Sequence, residues 1–421
     1  MHITISRKTF ILYILLFVLY IDAFWSVKGL QYYDELLGLL ALCYIALNLI
    51  VGVKREKFVN DTFFMLLGTV IIGLLANAIF RVQNNILDVF IDLYTFVKPY
   101  AIFLACYILL KKKNVASSFV ELWIPTIRFL SYIIIICLFI GFIFDTQLAY
   151  YDKWALVKSI KTYVFFSKYP SVLAVNMSSI AAILLLDYKK PKNILSLSFL
   201  CISMIATQAG MGFISVFVLG LLLFLFNNTK KLKWYHILLM IATGTFVGYT
   251  EVREYLINTD AARYLLLYYG IKTAIHYIPF GSGFGTYGGS VAAKSYSKLY
   301  LEYGFSTRWG MGENENGFYL NDSYFPMIFG QFGFIGTFLY GRYYFKLFKY
   351  FNNNSIKNCR IALLYIFIIM MLSNLSQGGF SSTAGIIYLI NICLILNYHQ
   401  NSETQNIIQD SSVSSKIISI K

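Results

Sequence analysis

Charge is scarce in this chain: only 13% of its 421 residues are Asp, Glu, Lys or Arg, against 58% hydrophobic residues. A soluble globular domain needs about twice that charge, so this class is excluded. Proline is also rare, with six residues, and histidine with four. No P-loop pattern and no HExxH occurs, so neither nucleotide hydrolysis nor zinc peptidase chemistry is expected. Five of the six cysteines (Cys43, Cys106, Cys137, Cys201, Cys393) fall in apolar runs, and no CxxC or Cys/His spacing indicates a metal site or a disulfide framework. Nor is there reason to invoke a cofactor, so a reaction here would draw on an already activated substrate.

Long apolar runs recur along the whole chain. A helix needs roughly 20 apolar residues to cross the hydrocarbon core, and about twelve such segments can be drawn: 9–26, 35–53, 61–80, 90–110, 125–144, 170–187, 193–207, 211–227, 234–250, 323–341, 361–377 and 382–398. The seventh and eighth are short and nearly continuous. The expectation is an all-α polytopic membrane protein, a single transmembrane domain over 1–398 followed by a disordered polar tail, 399–421. The first apolar run has no small-residue cleavage site and ends in Asp22-Ala23-Phe24-Trp25, which reads as a retained span with an interfacial anchor.

The net charge of +15 has two parts. With both termini cytoplasmic, Arg7 and Lys8, the run 54–57, Lys111 to Lys113, Lys189 to Lys192, the run 230–233 and Arg342 to Arg360 all fall in inner loops, as the positive-inside rule requires. The other cations concentrate in two outer loops: Lys153, Lys158, Lys161 and Lys168 in 145–169, and Arg253, Arg263, Lys272, Lys294, Lys298 and Arg308 in 250–322. Long loops escape the topological rule, so these cations are available to an anionic ligand. Charge divided by membrane spans does not suit nucleic acid, which is not an expected partner.

The loop 250–322 carries the chemistry-bearing residues. Gly283-Phe284-Gly285-Thr286-Tyr287-Gly288 satisfies GxGxxG, but a dinucleotide site would need it between a strand and a helix of a βαβ unit. Two readings remain: Gly281, Gly283 and Gly285 let backbone N–H groups approach a phosphate, or they form a tight turn back to the membrane. Arg263 can pair with Asp260 one helical turn earlier or serve a ligand. Asp322 can cap the following helix or act on a proton. Tyr287, Tyr296, Tyr300, Tyr303, Tyr319, Tyr324 and Trp309 could stack on sugar rings or form an interfacial aromatic belt. In the fourth apolar segment Asp88 and Asp92 share a helical face. Lys98 lies about 120° from Asp92, so it makes no pair within the helix and either points into a cleft or reflects a later helix start.

The order Arg263, Ala274-Ile275, Pro279 to Tyr287, Asn321-Asp322-Ser323-Tyr324 and Gly330-Gln331-Phe332-Gly333-Phe334-Ile335-Gly336 resembles the O-antigen ligase and polymerase superfamily. These are GT-C-type membrane glycosyltransferases that polymerise or transfer lipid-linked oligosaccharides, including capsule and exopolysaccharide polymerases. The likeness covers Thr259 to Gly336, the number of apolar segments and the late position of the large loop. It implies a bacterial cytoplasmic-membrane protein acting at the outer face on undecaprenyl-pyrophosphate-linked repeat units. Membrane lipid, a flippase and a chain-length regulator would be its partners. It places Arg263 on the donor pyrophosphate; the chemistry of glycosyl transfer makes the carboxylate of Asp322 the candidate at the acceptor hydroxyl. Gly281, Gly283, Gly285, Tyr287, Lys272, Arg308 and Lys98 would be the substrate-binding residues, with Arg253, Lys294, Lys298, Glu313 and Glu315 as helpers. Two departures stand out. Many members carry Arg in the outer turn where this chain has Thr207-Gln208-Ala209-Gly210, and ligases show His where this chain has Asp322. The second departure favours a polymerase over a ligase. A transporter or flippase is the competing class, but no paired interrupted segments mark transporter repeats.

Overall fold

The computed structural model describes residues 6–398 apart from positions 26, 28, 31, 51–56, 112–114, 145, 152–158, 230, 248, 250–252, 254–256, 314–316, 318, 355 and 377. The tail 399–421, Glu315, Lys153 and Lys158 therefore lie outside the described residues. Among the described residues the chain is all-α but for one two-residue antiparallel ladder, β1 (Ala149–Tyr150) with β2 (Thr162–Tyr163). The helices are α1 (Arg7–Trp25), α2 (Tyr33–Ile50), α3 (Lys57–Phe80), α4 (Ile86–Leu110), α5 (Val115–Ile143), α6 (Pro170–Leu184), α7 (Pro191–Ala206), α8 (Gly210–Asn228) and α9 (Trp234–Val247). After the cap helices α10 (Ala262–His276), α11 (Ser290–Lys294) and α12 (Lys298–Glu302) come α13 (Tyr324–Asn352), α14 (Lys357–Ser376) and α15 (Thr383–Tyr398).

Among the described residues, six helices are long and apolar enough to cross a membrane: α3, α4, α5, α6 with its 3-10 extension to Asp187, α8 and α14; α1 over Thr9–Trp25, α7 and α15 are apolar but shorter. This is an all-helical membrane protein. The nearly continuous seventh and eighth segments are two helices, α7 and α8, turned at Thr207 to Ala209, where Gln208 takes φ +51°. Starts follow local rules: Pro170 and Pro191 stand in the first turns of α6 and α7, where a missing N–H is harmless. The Asn85 side chain caps α4 by accepting from Leu87 N. Many buried serines and threonines return their hydroxyls to carbonyls of the preceding turn, as Thr62 does to Phe58 and Ser215 to Met211. This satisfies these donors within their own helix, while Ser196 and Ser203 on α7 have no hydrogen-bond partner.

α13 is two helices joined at Gly333, whose φ of +56° and ψ of −157° break the ladder. The break frees the carbonyls of Gly330 and Gln331 and the amide of Ile335. A second segment, Pro279–Gly283, satisfies all three: Ser282 N donates to Gly330 O at 2.9 Å, Gly283 N to Gln331 O at 3.0 Å, and Ile335 N to Pro279 O at 3.4 Å. The kink and the glycine loop are thus one structure, each meeting the hydrogen-bonding demand of the other.

Residues 262–322 form a cap on the bundle with its own core: Leu265, Leu266, Tyr287, Ala292, Ala293, Tyr296, Leu299, Tyr300, Phe305, Met311 and Leu320. α10 packs along the first half of α13, and Gly270 lies against the Pro326 backbone with no room for a side chain. The opposite face of α10 leaves Tyr268, Ile271 and Ile275 exposed, as is Ile278 just past its end.

Candidate functional site

Arg263, in the first turn of α10, meets Asp322, just before α13, with Nε 2.9 Å from Oδ2. The two are 59 positions apart in sequence, and the packing of α10 on α13 brings them together. Both side chains are about a quarter exposed (25% and 29%), so the pair stands at the mouth of the cap rather than in its core. Two expectations are corrected here. Arg263 does not pair with Asp260, because Asp260 Oδ1 pairs with Arg308 Nη1 at 2.9 Å. Nor is Asp322 the cap of α13: Ser323 holds the N-cap position, without a side-chain cap bond. The Ser323 hydroxyl, 1% exposed, has no hydrogen-bond partner. Asn321 carries its carbonyl against Gly378, so the turn before α15 borders the same mouth.

The glycine loop turns out to be committed inward. Residues 281–289 are all buried. The amides of Gly281, Gly283 and Gly285 donate to Tyr277 O, Gln331 O and Asp92 Oδ2, the last at 2.8 Å. Phe284 exchanges two bonds with the Asn77 side chain of α3, at 2.8 and 3.0 Å. No amide from Gly281 to Gly285 is left for a phosphate, and of the two readings the tight turn is the one adopted. At Gly283, φ is +90° and a Cβ would fall 2.6 to 2.8 Å from Asn77. Only glycine meets both conditions. The loop is an anchor, fastened to α3, α4 and α13.

Asp92, on the helical face it shares with Asp88, is 3% exposed and points into this anchor. Lys98, expected to face a substrate cleft, is 3% exposed and pairs with Asp34 (2.6 Å) and Glu35 (3.2 Å) at the start of α2. A buried ammonium needs such partners, and the two acids nearest it in space come from a neighbouring helix that the spacing within α4 could not reveal. Tyr287 is fully buried and donates to Leu266 O at 2.6 Å, so it offers no ring to a sugar. Tyr296, Tyr300 and Tyr324 are buried as well, whereas Trp309 is 70% exposed and packs on the half-buried Tyr319. Burial raises the hydroxyls of Tyr287 and Tyr300 above the ordinary tyrosine value, keeping them neutral in the cap core, where Tyr287 donates to Leu266 O and Tyr300 accepts from Gly288 N. Lys272 is exposed, its ammonium 5.4 Å over the Tyr269 ring and 6.0 Å over Tyr303. Arg253, Lys294 and Glu313 are exposed on the cap and the segment leading to it.

Two ion pairs, Arg263–Asp322 and Asp260–Arg308, thus lie at the start of α10, with Lys272 further along that helix. The residues that hold the cap to the bundle, Asn77, Gln83, Asp92 and Gln331, were not singled out as a group by reading the chain. Gln83 donates to Gly285 O and Gln331 to Tyr287 O, at 3.1 and 2.9 Å. A lone amide within an apolar run, as at Asn77, was the available signal. Compared with known proteins, the chain matches no family model and no curated protein.

Proposed function

We propose that the protein is a membrane glycosyltransferase that polymerises lipid-linked oligosaccharide repeat units at the outer face of a bacterial cytoplasmic membrane. The observation that carries this reading is the 2.9 Å contact between Arg263 and Asp322. The superfamily resemblance gives Arg263 the donor pyrophosphate, and the chemistry of the transfer gives the carboxylate of Asp322 the acceptor. The bundle would cross the membrane about twelve times with both termini cytoplasmic, leaving the cap outside, where a flipped lipid-linked donor arrives.

Glycosyl transfer from a polyprenyl pyrophosphate needs two things. The departing pyrophosphate must be stabilised, and a guanidinium suits it because its planar donors pair bidentately with phosphate oxygens. The acceptor hydroxyl must lose its proton as it attacks the anomeric carbon, and a carboxylate within hydrogen-bond reach takes it. In the free protein the Arg263–Asp322 pair holds the guanidinium and the carboxylate in register. A pyrophosphate that draws Arg263 towards itself releases Asp322 to the acceptor. The bond formed is the new glycosidic C–O bond, the bond broken is that between the anomeric carbon and the pyrophosphate, and the proton passes to Asp322.

A deletion strain tests this reading through its lipid-linked sugars. Loss of a polymerase leaves single repeat units on the lipid at the outer face, and loss of a flippase stalls them on the inner leaflet. Polymer of normal length in the deletion strain contradicts polymerase function.

A further inference from the structure

α10 is apolar on both faces. Leu265, Leu266, Gly270 and Ala274 pack inward, while Tyr268, Ile271 and Ile275 on the other side are exposed, continued by Ile278 just past its end. At about 100° per residue these four exposed positions fall in one narrow stripe. A helix apolar all round belongs in a protein core or a membrane rather than in solvent.

Contacts with α3 show how deep this segment reaches. α3 crosses the membrane over Phe58–Phe80, and the ring of Tyr277, at the end of α10, stands 5.1 Å from that of Phe80. From there the chain goes further in: the Phe284 ring fills the space beside Gly73, two turns back along α3, which is about 10 Å deeper. Gly333, where α13 breaks, lies against the backbone of Phe280 and Gly281, and Gly336 follows beside Ile72 of α3. The glycine loop and the kink therefore stand at the depth of the crossing helices. Irregular backbone is tolerated at that depth only when it is buried in protein, and residues 281–289 are all buried.

The exposed stripe of α10 is continuous with surface that faces lipid. Ile278 precedes Pro279, whose carbonyl accepts from the Ile335 amide. Ile335, Phe334 and Phe338 are exposed on α13, as is Ile79 on α3. The second half of α13 runs along α3 from Ile72 past Gly68, which meets Leu339, to Thr62, whose hydroxyl bonds Tyr343 OH. These exposed side chains are thus at membrane depth. The stripe is also graded, with Tyr264 and Tyr268 first and isoleucines after them towards α3. Tyrosine favours the membrane interface, and aliphatic side chains favour the hydrocarbon beneath it.

We infer that α10 and the glycine loop form a re-entrant unit in the leaflet on the cap side, with Tyr268, Ile271, Ile275 and Ile278 covered by acyl chains rather than by water or another protein. The mouth, at the far end of α10, then stands over the lipid headgroups. The inference rests on the fold and does not depend on the glycosyltransferase reading.

Spin labels on single cysteines test this in phosphatidylcholine vesicles, in a full-length chain whose six own cysteines are replaced by Ala. Labels go on Ile275→Cys and Tyr268→Cys, with Ile71→Cys on α3 as the lipid-facing reference and Ser306→Cys on the cap as the water-facing one. Accessibility is measured to oxygen and to a polar nickel chelate. The oxygen-to-nickel ratio at Ile275 should match that at Ile71 and exceed that at Ser306 by at least about tenfold, because a polar complex is excluded from hydrocarbon. Tyr268 should fall between the two references. Should the cysteine-free chain not fold, wild-type protein in vesicles of phosphatidylcholine with a diazirine in its acyl chain should be photolabelled within 268–278. A ratio at Ile275 equal to that at Ser306 would put water over the stripe, and shielding from both reagents would put protein there. Either result, or photolabels on α3 and α13 with none within 268–278, would overturn the proposal.

Discussion

The bundle and the cap are ordered by different means. The bundle buries long apolar stripes, and its polar groups bond both within a helix, as Thr69 does to Met65 and Leu66, and between helices, as Tyr100 does with Tyr340 and Tyr344. The cap has short helices around a tyrosine-rich core. It is held to the bundle by side chains far away in sequence: Asn77 to Phe284, Gln83 to Gly285, Asp92 to Gly285 and Gln331 to Tyr287. Stripes confer stability without specifying one position, whereas a few buried polar contacts specify position. The cap carries Arg263 and Asp322, and these few contacts set its position on the bundle.

The largest effect is expected at the mouth itself. Arg263→Ala should abolish long polysaccharide in cells at unchanged protein abundance, and Arg263→Lys should restore only part of it, because an ammonium lacks the planar fork. Polymer of normal length in the Ala variant removes Arg263 from the mechanism.

Next comes the anchor. Asp92→Ala leaves the buried Gly285 amide without its acceptor, a loss of about 1 to 3 kcal/mol. Hydrogen exchange should then speed up over 280–289 while α6 and α14 keep their protection. Asp92→Asn, which retains a carbonyl acceptor, should be milder. Uniform loosening of cap and bundle would show that the two are not separately ordered. Gly283→Ala forces φ +90° on a residue with a Cβ and drives that atom into Asn77. A destabilisation of about 1 to 3 kcal/mol is expected, confined to the same segment, and a neutral melting curve would argue against the close approach.

The smallest effect belongs to the second ion pair. Asp260 and Arg308 are 80% and 47% exposed, and Asp260→Asn should change stability by less than about 1 kcal/mol. A large loss of activity there with stability intact would move the reacting centre from Arg263–Asp322 towards Arg308.

The same contrast governs what could be read from the chain. Each of the twelve apolar segments overlaps a helix, since period and length alone define a stripe. The order Arg263, glycine loop, Asp322 picked out two residues that the fold then sets 2.9 Å apart. What the chain did not disclose is who partners whom. Lys98 finds acids on α2, Asp260 finds Arg308, and the glycine amides find Gln331 and Asp92. All of these are tertiary pairings across many residues, with no periodic signature. The tyrosines were misplaced for a related reason. Tyr287 and Tyr300 have hydroxyls that are satisfied by backbone groups of the cap, Leu266 O and Gly288 N, so they can be buried where composition alone suggests a membrane rim.

The central claim is that Arg263 and Asp322 form one reacting site for oligosaccharide transfer. Its most direct test is elongation of purified lipid-linked repeat units by the reconstituted protein, resolved as a ladder on a gel. The expected result is a ladder with the wild type, and with a folded Asp322→Asn variant a rate lower by about 100-fold or more. A full ladder from the Asn variant would contradict the role of the carboxylate, and no ladder from active wild-type preparations would contradict polymerisation itself.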